Sequence, residues 1–325
     1  MCRDVPSRDT LNFRLQSMSI NSATQSLVDQ FRSQPTLRAG SLITTVFGDA
    51  IAPRGGTVWI GSLIGAMADF GISERLVRTS VFRLSRDGWL HVDQLGRRSY
   101  YSLTDDGAQK FEQATQRIYG EPRQSWSGEW CLVLLAGLDP TQKERIKKEL
   151  GWQGFAAISS NVLACPGPET ADLEALFKRM GVAGEVVVMQ GHTLGKSRGQ
   201  AMRDLVQRSW NLRDIDARYL SFVGRFRPVL AAARKARKID AQRAFQARTL
   251  LIQEYRKVLL RDPLLPGELL PGSWHGARAY QLCRNLYREI YARAEQFLSE
   301  QMETADGALP PPSPEFFERF GGLRD

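Results

Sequence analysis

Between Ser73 and Thr104 the sequence predicts a short basic helix, a basic two-stranded hairpin and the start of another helix, in that order. Ser73 is a typical N-cap residue, and the helical pattern that follows it continues until Gly88. The hairpin consists of two segments in which apolar residues alternate, joined by a turn that contains Arg97 and Arg98. This succession limits the fold of the chain more than any other feature.

The predicted helix has two different faces. At about 100° per residue, Val77, Val81 and Leu84 fall on one side. The other side carries cations, a hydroxyl and an aromatic ring, at Arg75, Arg78, Thr79, Phe82 and Arg86. Arginine binds guanine O6 and N7 with two hydrogen bonds, so this face suits the major groove of DNA, with the N-terminal turn at Ser73 next to the bases. We predict base contacts for Arg75, Arg78 and Thr79, and phosphate contacts for Arg83 and Arg86.

The two arginines of the hairpin turn favour contacts with the DNA backbone. Guanidinium groups at Arg97 and Arg98 would add salt-dependent affinity and little sequence information. The structural alternative is a solvated surface helix followed by an ordinary hairpin.

The residues before and after this region complete a known pattern. The sequence predicts a helix over 37–52, a strand over 57–60, a helix over 62–70 and, after the Thr104 cap, a helix that reaches Ile118. Together these elements indicate a winged helix-turn-helix.

The length of 325 residues is enough for two or three domains. We predict an α+β chain of five segments: a disordered tail or upstream start (1–35), a winged helix-turn-helix (36–120), a ferredoxin-like module (121–192), a helical domain for effector binding and dimerisation (193–302) and a Pro-rich tail (303–325). The sequence contains neither a long apolar run nor a signal peptide, which indicates a cytoplasmic protein.

Catalytic and metal-binding motifs are absent from the sequence. The four cysteines and three histidines are far apart, so no spacing suits a metal, and we predict reduced, mostly buried cysteines. Gly195-Lys196-Ser197 lacks the preceding glycine of a phosphate-binding loop and lies in a predicted linker, 191–199. We therefore predict a protein that is not an enzyme.

The positive charge is concentrated outside the predicted DNA-binding region. Residues 37–120 contain 10 Lys and Arg against 8 Asp and Glu, a net charge of +2, whereas residues 193–300 contain 21 against 10, a net charge of +11. The C-terminal region therefore forms either a second nucleic-acid surface or a pocket for a polyanionic small molecule.

The middle of the chain predicts the element order βαββαβ, typical of a ferredoxin-like module. This module resembles the small CRISPR-adaptation nuclease fold, in which an acidic residue follows the first strand. Asp139 is the nearest candidate here, and metal-dependent nuclease activity is the alternative that it leaves open. Asp139 also precedes a proline at the start of a helix, where an N-cap is the simpler role, so we favour dimerisation or a spacer for this module.

Three amphipathic helices are predicted in the C-terminal region, over 213–238, 240–261 and 276–300. A loop with three prolines and several leucines separates the last two helices and ends near Trp274. Such a loop either covers the helices or lines a ligand pocket.

Several of these motifs resemble the PaaX family, the transcriptional repressors of bacterial phenylacetate-degradation operons. The resemblance is carried by Val77–Leu84 with Asp87-Gly88-Trp89-Leu90, by the strand at Trp130 and by the loop at 261–266, and it covers residues 36–300. It implies a homodimer that binds palindromic operator DNA, has no cofactor, and is released by phenylacetyl-coenzyme A as an effector ligand.

The resemblance also gives the basic C-terminal region a role, because an acyl-coenzyme A thioester carries three phosphate groups and an acyl group. Its binding would require several cations beside an apolar, aromatic slot. The candidates are Arg218, Arg225, Trp274, His275, Tyr280, Arg284 and Arg288, with Tyr287 as a further aromatic wall. The family pattern tends to have proline where this chain has His275, a difference that bears on the acyl group, and a different anionic ligand is the alternative effector.

Overall fold

The computed structural model describes residues 19–35, 38–121, 126–151, 153–167, 173–193 and 199–323, and it confirms the α+β class. The chain divides into two compact units. The first unit comprises Met1–Glu121, Ser221–Arg256 and Arg278–Asp325, and the second comprises Pro122–Leu220 and Lys257–Ala277. The segment that we predicted as a helical domain, 193–302, contributes residues to both units.

The N-terminal part of the first unit follows the predicted order of elements. It consists of α1 (Ile20–Arg32), α2 (Ala39–Val46), β1 (Thr57–Trp59), α3 (Ile60–Ala68), α4 (Glu74–Arg86), β2 (Leu90–Leu95), β3 (Arg98–Leu103) and α5 (Asp105–Tyr119). The strands form an antiparallel sheet in the order β1-β3-β2, and β2 and β3 form the predicted hairpin. Its turn is shorter than expected, because Arg98 already belongs to β3, paired with Leu95.

Local signals set both ends of α4. The Ser73 hydroxyl accepts a hydrogen bond from the Leu76 amide at 3.4 Å, which confirms the predicted N-cap. Gly88 follows the helix with a φ of 77°, a left-handed conformation that favours glycine. Val77 and Val81 are buried and Leu84 is half-buried, so the apolar face of α4 packs into the unit.

The helix that precedes β1 is less regular than predicted. After α2 the chain forms a π-helical turn, Phe47–Ile51, and then a 3-10 turn, Ala52–Arg54. The sequence predicted one regular helix over 37–52. A π turn takes an extra residue and redirects the side chains within it, and Asp49 lies there with only 3% of its surface exposed.

Helix α1 corrects part of the expected disordered tail. Residues 1–18 lie outside the described part of the chain, but Ile20–Arg32 is helical. Its buried apolar side chains recur at the spacing of one helix face. Phe31 among them contacts the ring of Phe70 edge-to-face, with 6.2 Å between the ring centres.

The second unit contains an antiparallel sheet of four strands with helices around it. In chain order its elements are β4 (Glu129–Leu134), α6 (Pro140–Gly151), β5 (Ala156–Ser159), β6 (Val162–Pro166), α7 (Leu173–Met180), β7 (Val187–His192) and α8 (Gln200–Ser209). The strands lie in the order β5-β6-β4-β7. Helix α8 was not predicted; its Val206 packs, together with Trp130 and Trp210, in a core of its own.

The remaining helices lie close to their predicted positions. They are α9 (Leu212–Lys235), α10 (Ala241–Leu259) and α11 (Gly276–Gln301). Two short strands, β8 (Glu303–Thr304) and β9 (Gly307–Ala308), follow α11, and a 3-10 helical stretch, Pro314–Gly321, comes last. Phe316 and Phe320 in this stretch are buried, which corrects the prediction of a Pro-rich tail.

Candidate nucleic-acid interface

The basic side of α4 is open to solvent. The exposed side chains on this face are Arg75, Arg78, Thr79, Phe82, Arg83 and Arg86, and the Ser73 cap is exposed at its N-terminal end. The opposite side of the same helix is buried at Val77 and Val81. The structure thus brings together, on one surface, all the residues that we predicted to contact bases and phosphates from this helix.

The arginines of this face form only exposed ion pairs. Arg78 donates from Nε to Glu74 Oε1 at 2.8 Å, and both side chains are more than half exposed. Arg86 pairs with Asp87 at 3.3 Å. Exposed pairs of this kind contribute little free energy, so either guanidinium can exchange its carboxylate for a base edge or a phosphate at little cost.

The two arginines of the hairpin differ from each other. Arg97 is exposed in the turn. The Arg98 guanidinium lies over the Trp59 ring, 4.3 Å from its centre, and donates to Glu303 Oε2 at 3.0 Å. Hydrogen bonds to Tyr100 and Glu303 raise the pKa of Arg98. Arg98 is therefore held by its own protein, whereas we predicted two equivalent phosphate anchors.

A buried charged cluster surrounds the Asp49 carboxylate in the first unit. Asp49 Oδ1 accepts hydrogen bonds from the Tyr119 hydroxyl at 2.6 Å, the Tyr287 hydroxyl at 2.9 Å and Arg319 Nη1 at 3.0 Å. Oδ2 accepts from Arg248 Nε at 2.7 Å. We call Asp49, Tyr119, Arg248, Tyr287 and Arg319 the Asp49 cluster; at most 4% of each residue is exposed.

The environment of the cluster fixes its protonation. Burial raises the pKa of Asp49, but Arg248, Arg319 and the Tyr119 hydrogen bond outweigh it and lower the pKa below the ordinary value of 3.8. Burial and the Asp49 charge raise the pKa of Tyr119 well above 10.0. Asp49 is consequently an anion that accepts hydrogen bonds from two arginines and two neutral phenols at neutral pH.

A second carboxylate extends this network. Glu295 Oε1 accepts from Arg248 Nη1 at 2.5 Å, and Oε2 accepts from Arg54 Nη2. With Arg54 and Glu295 included, three guanidiniums face two carboxylates in the interior of the first unit. The network links the turn after α2 to α10 and α11.

No local pattern in the sequence predicts a role in the interior for the residues of the Asp49 cluster. One signal was available: Asp49 is the single charged residue in the apolar stretch 39–51. Its partners Arg248 and Arg319 are 199 and 270 residues away along the chain.

The C-terminal segment, which we define as Glu303–Leu323, packs against the same part of the first unit. The Glu303 amide donates to Ser62 Oγ at 3.1 Å, and the Ser313 amide donates to the Pro53 carbonyl at 2.8 Å. Arg54 donates to the Pro310 carbonyl. The segment thus contacts α3, the turn before β1 and, through Glu303, the hairpin.

Three of the predicted effector residues share one face of α11, in the first unit. Tyr280, Arg284 and Arg288 follow each other at intervals of four residues. The Tyr280 hydroxyl and the Nε atoms of both arginines are buried, and no hydrogen-bond partner for them lies among the described residues. Burial raises the pKa of Tyr280. Arg288 also donates from Nη2 to the Gly322 carbonyl.

The other effector candidates have contacts of their own. Arg225, also in the first unit, pairs with Glu254 at 2.7 Å. Arg218, Trp274 and His275 belong to the second unit. There Arg218 pairs with Asp214 at 2.8 Å, the Trp274 ring packs edge-to-face on Tyr219, and His275 Nδ1 lies 3.0 Å from Asp216 Oδ2. Four of the seven residues thus belong to the first unit and three to the second.

Asp139 has the N-cap role. Its Oδ1 accepts hydrogen bonds from the amides of Thr141 at 2.7 Å and Gln142 at 2.9 Å, at the start of α6. The carboxylate thus satisfies the helix terminus, and nothing at Asp139 favours a nuclease. Across the described ranges, no group of three His, Cys, Asp or Glu side chains is placed to hold a metal ion.

No helix in the described ranges is long and apolar enough to cross a membrane. Of the predicted linker, 191–199, residues 191 and 192 belong to β7, whereas 194–198, with Gly195-Lys196-Ser197, lie outside the described residues.

Comparison with known proteins identifies the family. Three family models match in succession: "PaaX-like protein" at residues 38–107, "PaaX protein central Cas2-like domain" at 123–203 and "PaaX-like protein C-terminal domain" at 210–300. The transcriptional repressor PaaX of Escherichia coli (strain K12) is 42% identical over 285 residues, which cover 87% of this chain and 90% of that protein. The chain belongs to the PaaX family.

A solved structure resembles this PaaX-family protein in fold. It is an uncharacterized protein from Mycobacterium tuberculosis with a TM-score of 0.53 and 24% identity, and the match covers 79% of this chain and 97% of that one. The PaaX-family protein is a transcriptional regulator and not an enzyme, since its curated relative is a transcriptional repressor. Its membership of a repressor family also disfavours metal-dependent nuclease activity as the alternative function.

Proposed function

We propose that this protein represses an operon for phenylacetate degradation by binding operator DNA through a winged helix-turn-helix, and that phenylacetyl-coenzyme A releases it. Family membership supports the repressor role. The observation that carries the DNA-binding part is the exposed basic face of α4, next to a basic hairpin. In this arrangement α4 enters the major groove, and the hairpin lies along the backbone.

The side chains of α4 divide by role. Arg75, Arg78 and Thr79 lie in its N-terminal half and contact base edges, and Ser73 lies beside them as the cap. Arg83 and Arg86 contact phosphates near the other end of the helix. Arg97 anchors the hairpin, and Arg98 does so when it exchanges Glu303 for a phosphate.

The protein acts in the cytoplasm. It binds a palindromic operator as a homodimer, because two copies of one helix read two half-sites of opposite orientation. The β5-β6-β4-β7 sheet with the order βαββαβ supports a ferredoxin-like module in the second unit. We assign it the role of a dimerisation or spacer element.

The effector site is best supported at Tyr280, Arg284 and Arg288. Buried guanidinium N–H groups without partners favour the binding of an anion, and a coenzyme A thioester supplies phosphates. Arg225, Arg218, Trp274 and His275 remain further candidates. Release requires the effector to favour a DNA-incompetent arrangement by about 3 kcal/mol, which weakens DNA binding roughly 150-fold. A different anionic ligand is the alternative effector.

Gel-shift titration with the promoter DNA beside this gene tests the DNA-binding part. Arg78→Ala should cost on the order of 1–3 kcal/mol and relax the base preference, whereas Arg97→Ala should weaken binding evenly and reduce the salt slope by about one. Arg145→Ala is the matched control, since Arg145 is also exposed but lies on α6. Unchanged affinity in both test variants would exclude α4 and the hairpin as the DNA-binding surface.

Isothermal titration with phenylacetyl-coenzyme A tests the effector site. Arg284→Ala should weaken effector binding at least five-fold, by the loss of one charge-assisted hydrogen bond, and leave DNA affinity unchanged. Arg293→Ala, an exposed change on the same helix, should bind the effector normally. Normal effector binding by the Arg284 variant would show that the effector does not bind at this face of α11.

A further inference from the structure

Phe82 is the most exposed of the large apolar side chains that the structure describes. Its surface is 66% exposed, whereas Leu76, the other exposed apolar residue of α4, is 40% exposed. A phenyl ring in water is unfavourable, and it gains nothing from the core of its own protein here. An apolar partner outside the described chain would remove this cost.

The position of Phe82 is as unusual as its exposure. It lies one helical turn after Arg78 and one before Arg86, and at about 100° per residue it is only about 20° from Arg75 around the helix axis. The ring therefore lies at the middle of the basic face. Arginines on three sides favour a partner that is anionic around an apolar spot.

We propose that Phe82 contacts the 5-methyl group of a thymine in the operator and selects for thymine at that position. The inference rests on the proposed DNA-binding function. Thymine carries an apolar methyl group at the edge of its base in the major groove, and apolar side chains bind it there. The phosphates on both sides of the groove complement the arginines around the ring. Phe82 would be a specificity-determining residue beside Arg75, Arg78 and Thr79.

The geometry suits such a contact. Arg78 and Phe82 are four residues apart, a rise of about 6 Å along the helix axis, or close to two base-pair steps. Arg78 at a guanine and Phe82 at a thymine two base pairs away can thus be satisfied by one placement of α4. Arg78 and Phe82 together would then recognise two bases, whereas Arg78 alone would recognise one.

Replacement of thymine by deoxyuridine provides the test, because it removes only the 5-methyl group. Each thymine of the operator is replaced in turn, in both half-sites, and the affinities of the wild-type protein and of Phe82→Ala are measured by fluorescence anisotropy. At one or two positions per half-site, deoxyuridine should weaken wild-type binding about three- to five-fold, as expected for one buried methyl group. The affinity of Phe82→Ala should be the same with thymine as with deoxyuridine at those positions.

Leu76→Ala is the control for loss of an exposed apolar side chain on the same helix. It should keep the wild-type response to deoxyuridine, because Leu76 lies about 120° from Phe82 around the axis. Phe82→Leu, which keeps an apolar group, should retain part of the response. Thermal unfolding should be the same for all three variants, since both positions are exposed.

Two results would overturn the inference while leaving DNA binding intact. One is a wild-type protein that binds its operator and ignores every thymine methyl group. The other is an equal response to deoxyuridine in the wild type and Phe82→Ala. A change of oligomeric state in Phe82→Ala without DNA would likewise overturn it, in favour of a second copy as the partner. Failure of the wild type to prefer any promoter fragment over random DNA would instead contradict the proposed function itself.

Discussion

Arg319 donates from Nη1 to the Asp49 carboxylate at 3.0 Å and to the Asp49 carbonyl at 2.9 Å, across 270 residues of sequence. The contact ties the end of the chain to the π turn after α2, and α2 packs against the DNA-binding candidate α4. The family model that covers the C-terminal domain ends at residue 300. The C-terminal segment beyond it is therefore part of the architecture of the first unit.

Asp49→Asn tests the energetic weight of the Asp49 cluster. The change leaves the buried Arg319 guanidinium without its carboxylate and leaves Arg248 with Glu295 alone, and removal of one partner of a buried ion pair costs about 3–5 kcal/mol. Urea unfolding followed by circular dichroism measures the loss. Asp87→Asn, at an exposed carboxylate, is the control and should change stability little. A loss below about 1 kcal/mol for Asp49→Asn would contradict the importance of the cluster.

The stability difference between the wild type and Asp49→Asn should depend on pH with a defined sign. The folded pKa of Asp49 is lower than its ordinary value of 3.8, so ionised Asp49 stabilises the fold at every pH above that value. The stability difference between the wild type and Asp49→Asn should therefore be constant from pH 7 to about pH 5. It should shrink as the pH falls below 3.8 towards the folded pKa. A stability difference that changes between pH 5 and pH 7 would contradict this assignment.

Arg319→Met tests the role of the C-terminal segment. Methionine fills part of the space of the arginine stem but donates no hydrogen bonds, so the charged hydrogen bonds to Asp49 are lost. We expect a destabilisation of about 2 kcal/mol, measured by the same urea titration. Arg293→Met, an exposed change on α11, should be close to neutral. If both variants unfold like the wild type, the segment is not a stabilising part of the first unit.

Glu303→Gln tests whether the C-terminal segment restrains the hairpin. The substitution removes the charge that holds Arg98, so the guanidinium becomes available to a phosphate. Operator affinity should rise about two- to three-fold at low salt, and the difference should vanish at high salt, because both groups are about half exposed. Glu300→Gln, at an exposed position of α11, is the control. Weaker DNA binding by Glu303→Gln would reverse the assigned role.

The sequence was sufficient to predict those elements whose structure depends on residues close together along the chain. The limits of α4 follow from the Ser73 cap and Gly88, and its faces follow from the spacing of Val77 and Val81. The hairpin follows from alternation around a turn. Each signal acts within a few residues, so propensity and period predict it.

Contacts between distant residues could not be predicted in the same way. Asp49 finds Arg248 and Arg319 only once the first unit has folded, and nothing local distinguishes those arginines from solvated ones. The assignment of residues to units is equally hard to predict: of the seven effector candidates, all from one basic region of the sequence, four belong to the first unit and three to the second. Helix α1 was missed for another reason, because its polar residues obscured a regular apolar face.

The most direct test of the whole account is the affinity of the protein for its operator while phenylacetyl-coenzyme A is added, followed by fluorescence anisotropy. Free coenzyme A and a panel of other acyl-coenzyme A thioesters serve as controls. Phenylacetyl-coenzyme A should weaken operator binding roughly 150-fold, and free coenzyme A should leave it unchanged. Operator affinity that is indifferent to every thioester would contradict it.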